Sequence, residues 1–256
     1  VAMTDFQEVA VPYRPLVVFD FDHTLYDGDS GSHLVMWLIR RHWWRKLAAL
    51  LAAPVLLPMV AWLPTRRRGI SGFLWIATFG THGRAAMDAL IDRYVDANTA
   101  DIRERLLPAA LKVLHRHRSR GDRVLVATGA PPELARAILD FVAHEGLPVI
   151  GSLGKPFLGG FITDQHCHAK NKMRMIWDAG YDRIAIAYSD SRADLPLLRA
   201  ADAPVVVNPK ESAVDTFRRV LPPGTPVLNW GCEGRAGAPD AGEAIPGEAG
   251  EGVGSG

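Results

Sequence analysis

The chain has 256 residues, 48% of them hydrophobic and 22% charged, enough for a catalytic core with a smaller inserted unit. Its 29 basic and 28 acidic residues leave a formal net charge of +1, which gives no support for wholesale nucleic-acid binding and leaves only local clusters to interpret. Two distant cysteines, Cys167 and Cys232, imply no disulfide framework and fit a reducing compartment.

The leader VAMTDFQEVAVPYRP carries acids and lacks the basic start, apolar middle and cleavage site of a secretory signal, so the catalytic part is expected in the cytoplasm. Leu16-Val17-Val18-Phe19 then reads as a strand buried on both faces, ending in the acidic cluster DFDHTLYDGD. From Ser32 to about Gly80 aromatic, aliphatic and arginine residues dominate. The segment THGRAAMDALIDRYVDANTADIRERL follows with helical spacing, and the whole block reads as an insertion. A helix from Pro108 stops at Gly121, and its His115 and His117, on a basic helix, are expected to be exposed. Strand, helix and strand then alternate over Arg123–Thr128, Pro131–His144 and Val149–Ser152. A hairpin is expected at FLGGFITDQ, a helix over Ala169–Ala179, a strand over Arg183–Tyr188, a helix over Leu195–Ala200 and a strand over Pro204–Val207. This pattern predicts an α/β fold with a Rossmann-like, doubly wound and mainly parallel sheet. The glycine-, alanine-, proline- and glutamate-rich stretch from Gly231 to Gly256 is expected to be disordered.

Ligands of such sheets sit beyond the carboxyl ends of the strands. Three strands end there in Asp20 with Asp22, Thr128 with Gly129, and Asp190 with Asp194. Carboxylates at i and i+2 in a loop converge on one small volume and repel unless a hard divalent cation such as Mg2+ joins them. A small hydroxyl residue followed by glycine can close around a phosphate, and a lysine can neutralise the remaining charge.

These segments resemble the motifs of haloacid dehalogenase superfamily phosphatases of the subfamily with a helical cap after the first motif. The four are Asp20-Phe21-Asp22-His23-Thr24, Val124-Leu125-Val126-Ala127-Thr128-Gly129, Lys172 in HAKNKMRMI, and Ser189-Asp190-Ser191-Arg192-Ala193-Asp194, in the family's order over residues 20 to 194. The resemblance implies that Asp20 is the nucleophile and Asp22 the general acid and base. It also implies that Thr128, Gly129 and Lys172 bind the phosphoryl group, that Asp20, Asp22 (through its carbonyl) and Asp190 hold Mg2+, and that Thr24 and Asp194 support them. His23 and Ser191 stand where many relatives carry glycine. Lys170 is the reserve for Lys172.

The implied organisation is a catalytic core over residues 1–28 and 106–230, a helical cap over 29–105 and a tail over 231–256. Within the cap, Leu47 to Leu63 has no polar side chain; it is short of the about 20 residues a spanning helix needs, is broken by Pro54 and Pro58, and is flanked by arginines. A helical hairpin or interfacial insertion is therefore expected, with close packing against the protein or a second copy as the alternative. The same insertion, with Arg66, Arg67 and Arg68 as candidate headgroup contacts and Phe73-Leu74-Trp75 after them, resembles the bacterial phosphatidylglycerophosphatase C family. That implies conversion of phosphatidylglycerophosphate to phosphatidylglycerol at the cytoplasmic face of the inner membrane. The alternatives are a soluble small-metabolite phosphatase of the cytoplasm, resembling phosphoserine phosphatase, and an inactive membrane-bound interaction protein. His166-Cys167-His168 lacks a second ligand pair and reads as structural rather than zinc-binding.

Overall fold

The computed structural model describes residues 14–62, 64–142 and 146–242. The first strand, β1 (Leu16–Phe19), is followed by the five helices of the insertion: α1 (Ser30–Arg40), α2 (Trp43–Ala61), α3 (Arg66–Thr78), α4 (Arg84–Ala97) and α5 (Thr99–Arg105). The chain then runs α6 (Pro108–Ser119), β2 (Arg123–Ala127), α7 (Pro132–Asp140), β3 (Val149–Ile150), β4 (Leu153–Phe157), β5 (Gly160–Gln165), α8 (Lys170–Asp178), β6 (Ile184–Ser189), α9 (Leu195–Ala200), β7 (Ala201–Val207), α10 (Glu211–Val220), β8 (Val227–Asn229) and β9 (Ala238–Pro239).

Seven strands form one parallel sheet in the order β3-β2-β1-β6-β7-β8-β9. The sheet is covered on both faces, as all-parallel sheets require. Alternate residues of β1 point to opposite sides: Val17 and Phe19 join a core shared with α1, α4, α6 and α7, and Leu16 and Val18 one shared with α8, α9 and α10. From β1 the strand order runs outward both ways, to β2 on one side and β6 on the other, so the switch point lies at β1 and β6.

The expected alternation is present, and α6 ends where Gly121 takes φ +82°. Helix α10 and strands β8 and β9 were not anticipated. The expected hairpin is β4–β5, a separate two-stranded sheet that packs on α3. The Phe161 N–H donates to Thr78 Oγ1 (2.8 Å), the Thr163 N–H to Ser71 Oγ (3.2 Å), and Trp75 Nε1 to the Phe157 carbonyl (3.0 Å). Contact between these surfaces joins the hairpin to the inserted helices, which no local pattern predicts.

Three expectations need correction. The apolar run is not broken at Pro54 and Pro58, because α2 continues through both. Four residues apart, they share one face, and that face is exposed, so the carbonyls that lose their N–H partners are not trapped in the core. His117 is fully buried, with Nδ1 2.7 Å from Asp122 Oδ2 and Nε2 3.0 Å from Tyr188 Oη, because α6 turns that face onto the sheet. Finally, residues 231–242 are folded: β9 pairs with β8, Trp230 and Cys232 are buried, and Trp230 Nε1 donates to Asp240 Oδ2 (3.0 Å). Backbone pairing and two anchoring side chains compensate for the composition; residues 243–256 of the expected tail lie outside the described residues.

Candidate active site

Strands β2, β1 and β6 are neighbours and run in one direction, so the residues that follow them share one edge of the sheet. Those residues are Thr128, Asp20 and Asp190, each one position past its strand. Asp20 is held by its own loop and by α8: Oδ1 accepts from the Phe21 N–H (2.8 Å) and lies 3.0 Å from Lys172 Nζ. Lys172 reaches Asp194 Oδ2 at 2.6 Å, and Ser189 Oγ lies 2.8 Å from the same oxygen and 3.4 Å from Asp20 Oδ2. Lys172 is therefore the lysine of the cluster, while Lys170 is exposed.

Lys172 and Asp194 are each only 2% exposed, so their charges have little help from water. Burial works against the Lys172 ammonium, but Asp194 and Asp20 outweigh it and hold its pKa above the usual lysine range. Burial likewise pushes the Asp194 carboxyl up, but Lys172, with hydrogen bonds from Asp20, Lys172 and Ser189, holds it below the usual carboxylate range. Asp20 moves the other way: burial raises it well above the ordinary value against the pull of Lys172, and the charges of Asp194 and Asp190 add to the rise.

Asp22 lies at the N-terminus of α1, where its Oδ1 accepts from the Ser30 N–H (2.8 Å). Burial, with the nearby Asp29 carboxylate, pushes its pKa up to about 7. Thr128 is fully buried and its Oγ1 accepts from the Ala130 N–H (3.0 Å), leaving the hydroxyl proton free to donate. Gly129 borders open space, since a Cβ there would come no nearer than 4.0 Å to the Cys167 carbonyl and His166 Cε1. Thr24 is buried nearby, and its Oγ1 has no hydrogen-bond partner among the described residues.

Asp190 carries a partner that no motif announced. Arg235, from the segment after β8, places Nη1 3.0 Å from Asp190 Oδ2 and 3.1 Å from the Asn208 carbonyl. Burial raises Asp190 to about 6 although Arg235 opposes it. Asp20 and Asp190 thus form a buried, all-oxygen site that draws a cation of the protein's own, and this donor set suits a hard divalent ion such as Mg2+. Sequence reasoning passed over Arg235 because its surroundings are low in complexity. It also left Ser189 without a role, though Ser189 directly precedes Asp190.

The cap arginines do not join this cluster by any described hydrogen bond. Arg66 Nε donates to the Val60 carbonyl (3.0 Å) at the end of α2, and Arg67 donates to the carbonyls of Asp164 and Thr163 in β5. Arg67 and Arg68 line a groove of about 500 Å³ with Trp75 and Phe157. His166 Nδ1 lies 2.9 Å from Ser152 Oγ and its ring stacks on His168, a structural role beside the Gly129 loop.

A parallel α/β sheet with clustered acids, a lysine and a hydroxyl residue beyond its central strands defines a phosphoryl-handling hydrolase. Residues 17–199 match the haloacid dehalogenase-like hydrolase family, and the chain belongs to it as an enzyme of the phosphatase type. The fold is similar to that of a protein of unknown function from Bordetella pertussis Tohama I, with 20% identity over 80% of this chain and 95% of that one and a TM-score of 0.64. It is also similar to a phosphoserine phosphohydrolase-like protein from Francisella tularensis subsp. tularensis SCHU S4, with 14% identity, 81% and 94% coverage and a TM-score of 0.54. A third similar structure is cytosolic 5'-nucleotidase IIIB bound to cytidine, with 14% identity, 81% and 78% coverage and a TM-score of 0.54.

Proposed function

We propose that the protein is a Mg2+-dependent phosphomonoester hydrolase that works at a membrane surface, removing the terminal phosphate of phosphatidylglycerophosphate to give phosphatidylglycerol. The observation that carries the membrane reading is the inverted character of α2. Its one buried residue is Arg45, whose guanidinium donates to the Phe79 and Leu38 carbonyls, while Leu50, Leu51, Val55 and Leu57 are 57–72% exposed. A soluble helix buries its apolar side, so this face suits lipid.

Helix α2 is long and apolar enough to cross a membrane by length and composition. Crossing would carry the start of α3 with it, because Gly69 and Gly72 bring the two helices together. A Cβ on Gly69 would lie 2.8 Å from the Val60 nitrogen, and one on Gly72 2.7 Å from Leu56 Cδ2. The start of α3 is Arg66-Arg67-Arg68, and charges of that kind do not enter hydrocarbon without severe cost. The α2–α3 pair therefore lies in the interface. Three arginines at a helix N-terminus also oppose the helix dipole, and an anionic surface relieves that repulsion while adding about 1 kcal/mol of attraction per basic residue.

In the chemistry, Asp20 Oδ1 is occupied by Lys172 and the Phe21 N–H, so Oδ2 attacks phosphorus. The Oδ2–P bond forms as the P–O ester bond breaks, and Asp22 gives its proton to the departing alkoxide. Water then attacks the aspartyl-phosphate, its proton passes to Asp22, and the P–Oδ2 bond breaks to release inorganic phosphate. Thr128, the amides around Gly129, and Lys172 receive the phosphoryl oxygens. Mg2+ held by Asp20, Asp190 and the Asp22 carbonyl would supply further positive charge against the phosphoryl group. Asp194 and Ser189 hold Lys172 in place.

The test is Mg2+-dependent phosphate release from phosphatidylglycerophosphate in mixed micelles, beside phosphoserine and an aryl phosphate, with Asp20→Asn as control. Preference for the lipid, abolished in the control, is the expected result. Preference for phosphoserine would return the enzyme to small metabolites, and unchanged turnover by Asp20→Asn would overturn the mechanism.

A further inference from the structure

A second group of potential ligands lies outside the carboxylate site. His23 and Asp27 come from the loop after β1, and Cys232 from the segment after β8. One ligand atom from each lies within 4.8 Å of the other two. His23 Nδ1 is 3.9 Å from Asp27 Oδ1, and Cys232 Sγ is 3.2 Å from that oxygen. In a tetrahedral zinc site, with bonds of about 2.0–2.2 Å to nitrogen and oxygen and about 2.3 Å to sulfur, ligand atoms stand about 3.4–3.6 Å apart. The His23–Asp27 and Cys232–Asp27 edges bracket that value, so along both an ion needs shifts of only a few tenths of an ångström.

Two independent features point to a ligand. His23 Nδ1 is buried and has no hydrogen-bond partner among the described residues. His23 also holds φ +57°, a left-handed conformation uncommon for a residue with a side chain, at the position where the family resemblance has glycine. The imidazole is thus placed where the backbone would more readily take no side chain at all. Around it the loops are already tied: Asn208 Nδ2 donates to the His23 carbonyl (2.8 Å), and Asn208 Oδ1 accepts from the Trp230 N–H (2.7 Å).

We propose that His23 Nδ1, Asp27 Oδ1 and Cys232 Sγ form a binding site for a thiophilic divalent ion, Zn2+, which clamps the segment after β8 onto the nucleophile loop. A nitrogen, a carboxylate and a thiolate select zinc over magnesium, whereas Asp20 and Asp190 offer only hard oxygens. The thiol now donates toward Asp27. On binding, its S–H bond breaks, the proton leaves to solvent, and the electron pair forms the sulfur–metal bond without any change of oxidation state. Arg235 lies three residues beyond Cys232, so the clamp also fixes the guanidinium that meets Asp190.

The experiment uses full-length protein, reduced and stripped by chelator, titrated with Co2+ in excess Mg2+. One equivalent is expected to produce a thiolate-to-cobalt charge-transfer absorption and the strong visible bands of tetrahedral cobalt, both bleached by one equivalent of Zn2+. Cys232→Ser and His23→Gly, the latter suited to φ +57°, should remove the charge-transfer band or weaken cobalt binding at least tenfold with unchanged circular dichroism; Cys167→Ser should keep it. Absence of the band in the parent protein, its survival in Cys232→Ser, or its loss in Cys167→Ser would each overturn the proposal.

Discussion

Replacing Lys172 with Met tests whether the buried charges beneath the nucleophile depend on one another. The ammonium stands 2.6 Å from Asp194 and 3.0 Å from Asp20, and its removal leaves two buried carboxylates with only Ser189 and the Phe21 N–H as close donors. Asp194, which Lys172 holds below the usual carboxylate range in the parent protein, then takes up a proton. Holding it protonated at pH 7 against an unfolded-state pKa of about 3.9 costs about 4 kcal/mol, at about 1.4 kcal/mol per pH unit. That agrees with the about 3–5 kcal/mol expected for breaking a buried pair. The folded-state pKa is now raised above the unfolded one, so the variant's stability falls as pH rises and recovers as pH falls; at pH 5.5 the penalty shrinks to about 2 kcal/mol. Urea unfolding with chelator, followed by tryptophan fluorescence at both pH values, measures this. Lys172→Met/Asp194→Asn should regain at least half of the loss while staying inactive. A penalty below about 1 kcal/mol at pH 7, or one that ignores pH, would refute the argument.

In the proposed mechanism Asp22, raised to about 7, carries the proton for the leaving alkoxide below that pH and loses it above. Single-turnover cleavage of an alkyl phosphate should therefore fall about tenfold per pH unit above pH 7, cleavage of an aryl phosphate should not, and Asp22→Asn should slow the alkyl substrate by about 10²–10⁴. Changing Leu50, Leu51 and Leu57 to Ser should change urea stability by no more than about 1.5 kcal/mol, about 0.5 for each exposed position. Binding to anionic vesicles in flotation assays should weaken at least about 100-fold, since each leucine contributes on the order of 1.5–3 kcal/mol when fully buried in an apolar phase. Arg235→Ala should raise Mg2+ affinity about tenfold in calorimetry, near 1.4 kcal/mol, by removing a competing cation from Asp190. A fall in affinity would mean that Arg235 orients Asp190 instead.

Much of the site was legible because its chemistry is attached to strand ends. Apolar β-branched runs mark β1, β2 and β6, and whatever follows a parallel strand is delivered to the ligand-binding edge, so Asp20, Thr128 and Asp190 could be named from order and spacing. The choice of Lys172 over Lys170 was favoured by the helical periodicity that begins there, and in the structure it is Lys172 that meets the two carboxylates Asp20 and Asp194. The apolar character of α2 was equally plain in composition. Whether it would be buried was not, since apolar helices of soluble cores and of membrane surfaces share the same residues.

What the sequence by itself determined is therefore the parallel α/β core, the inserted helices and the acids, hydroxyl and lysine proposed to handle the phosphoryl group, all consequences of local periodicity and of residues fixed to strand ends. Tertiary structure alone decided the rest: the hairpin on α3, the burial of His117, the exposure of α2, and the return of residues 231–242 to set Cys232 beside Asp27 and Arg235 against Asp190. Each of these depends on contacts between segments tens to hundreds of residues apart, where the partner's position, rather than the local pattern, determines which side chains meet.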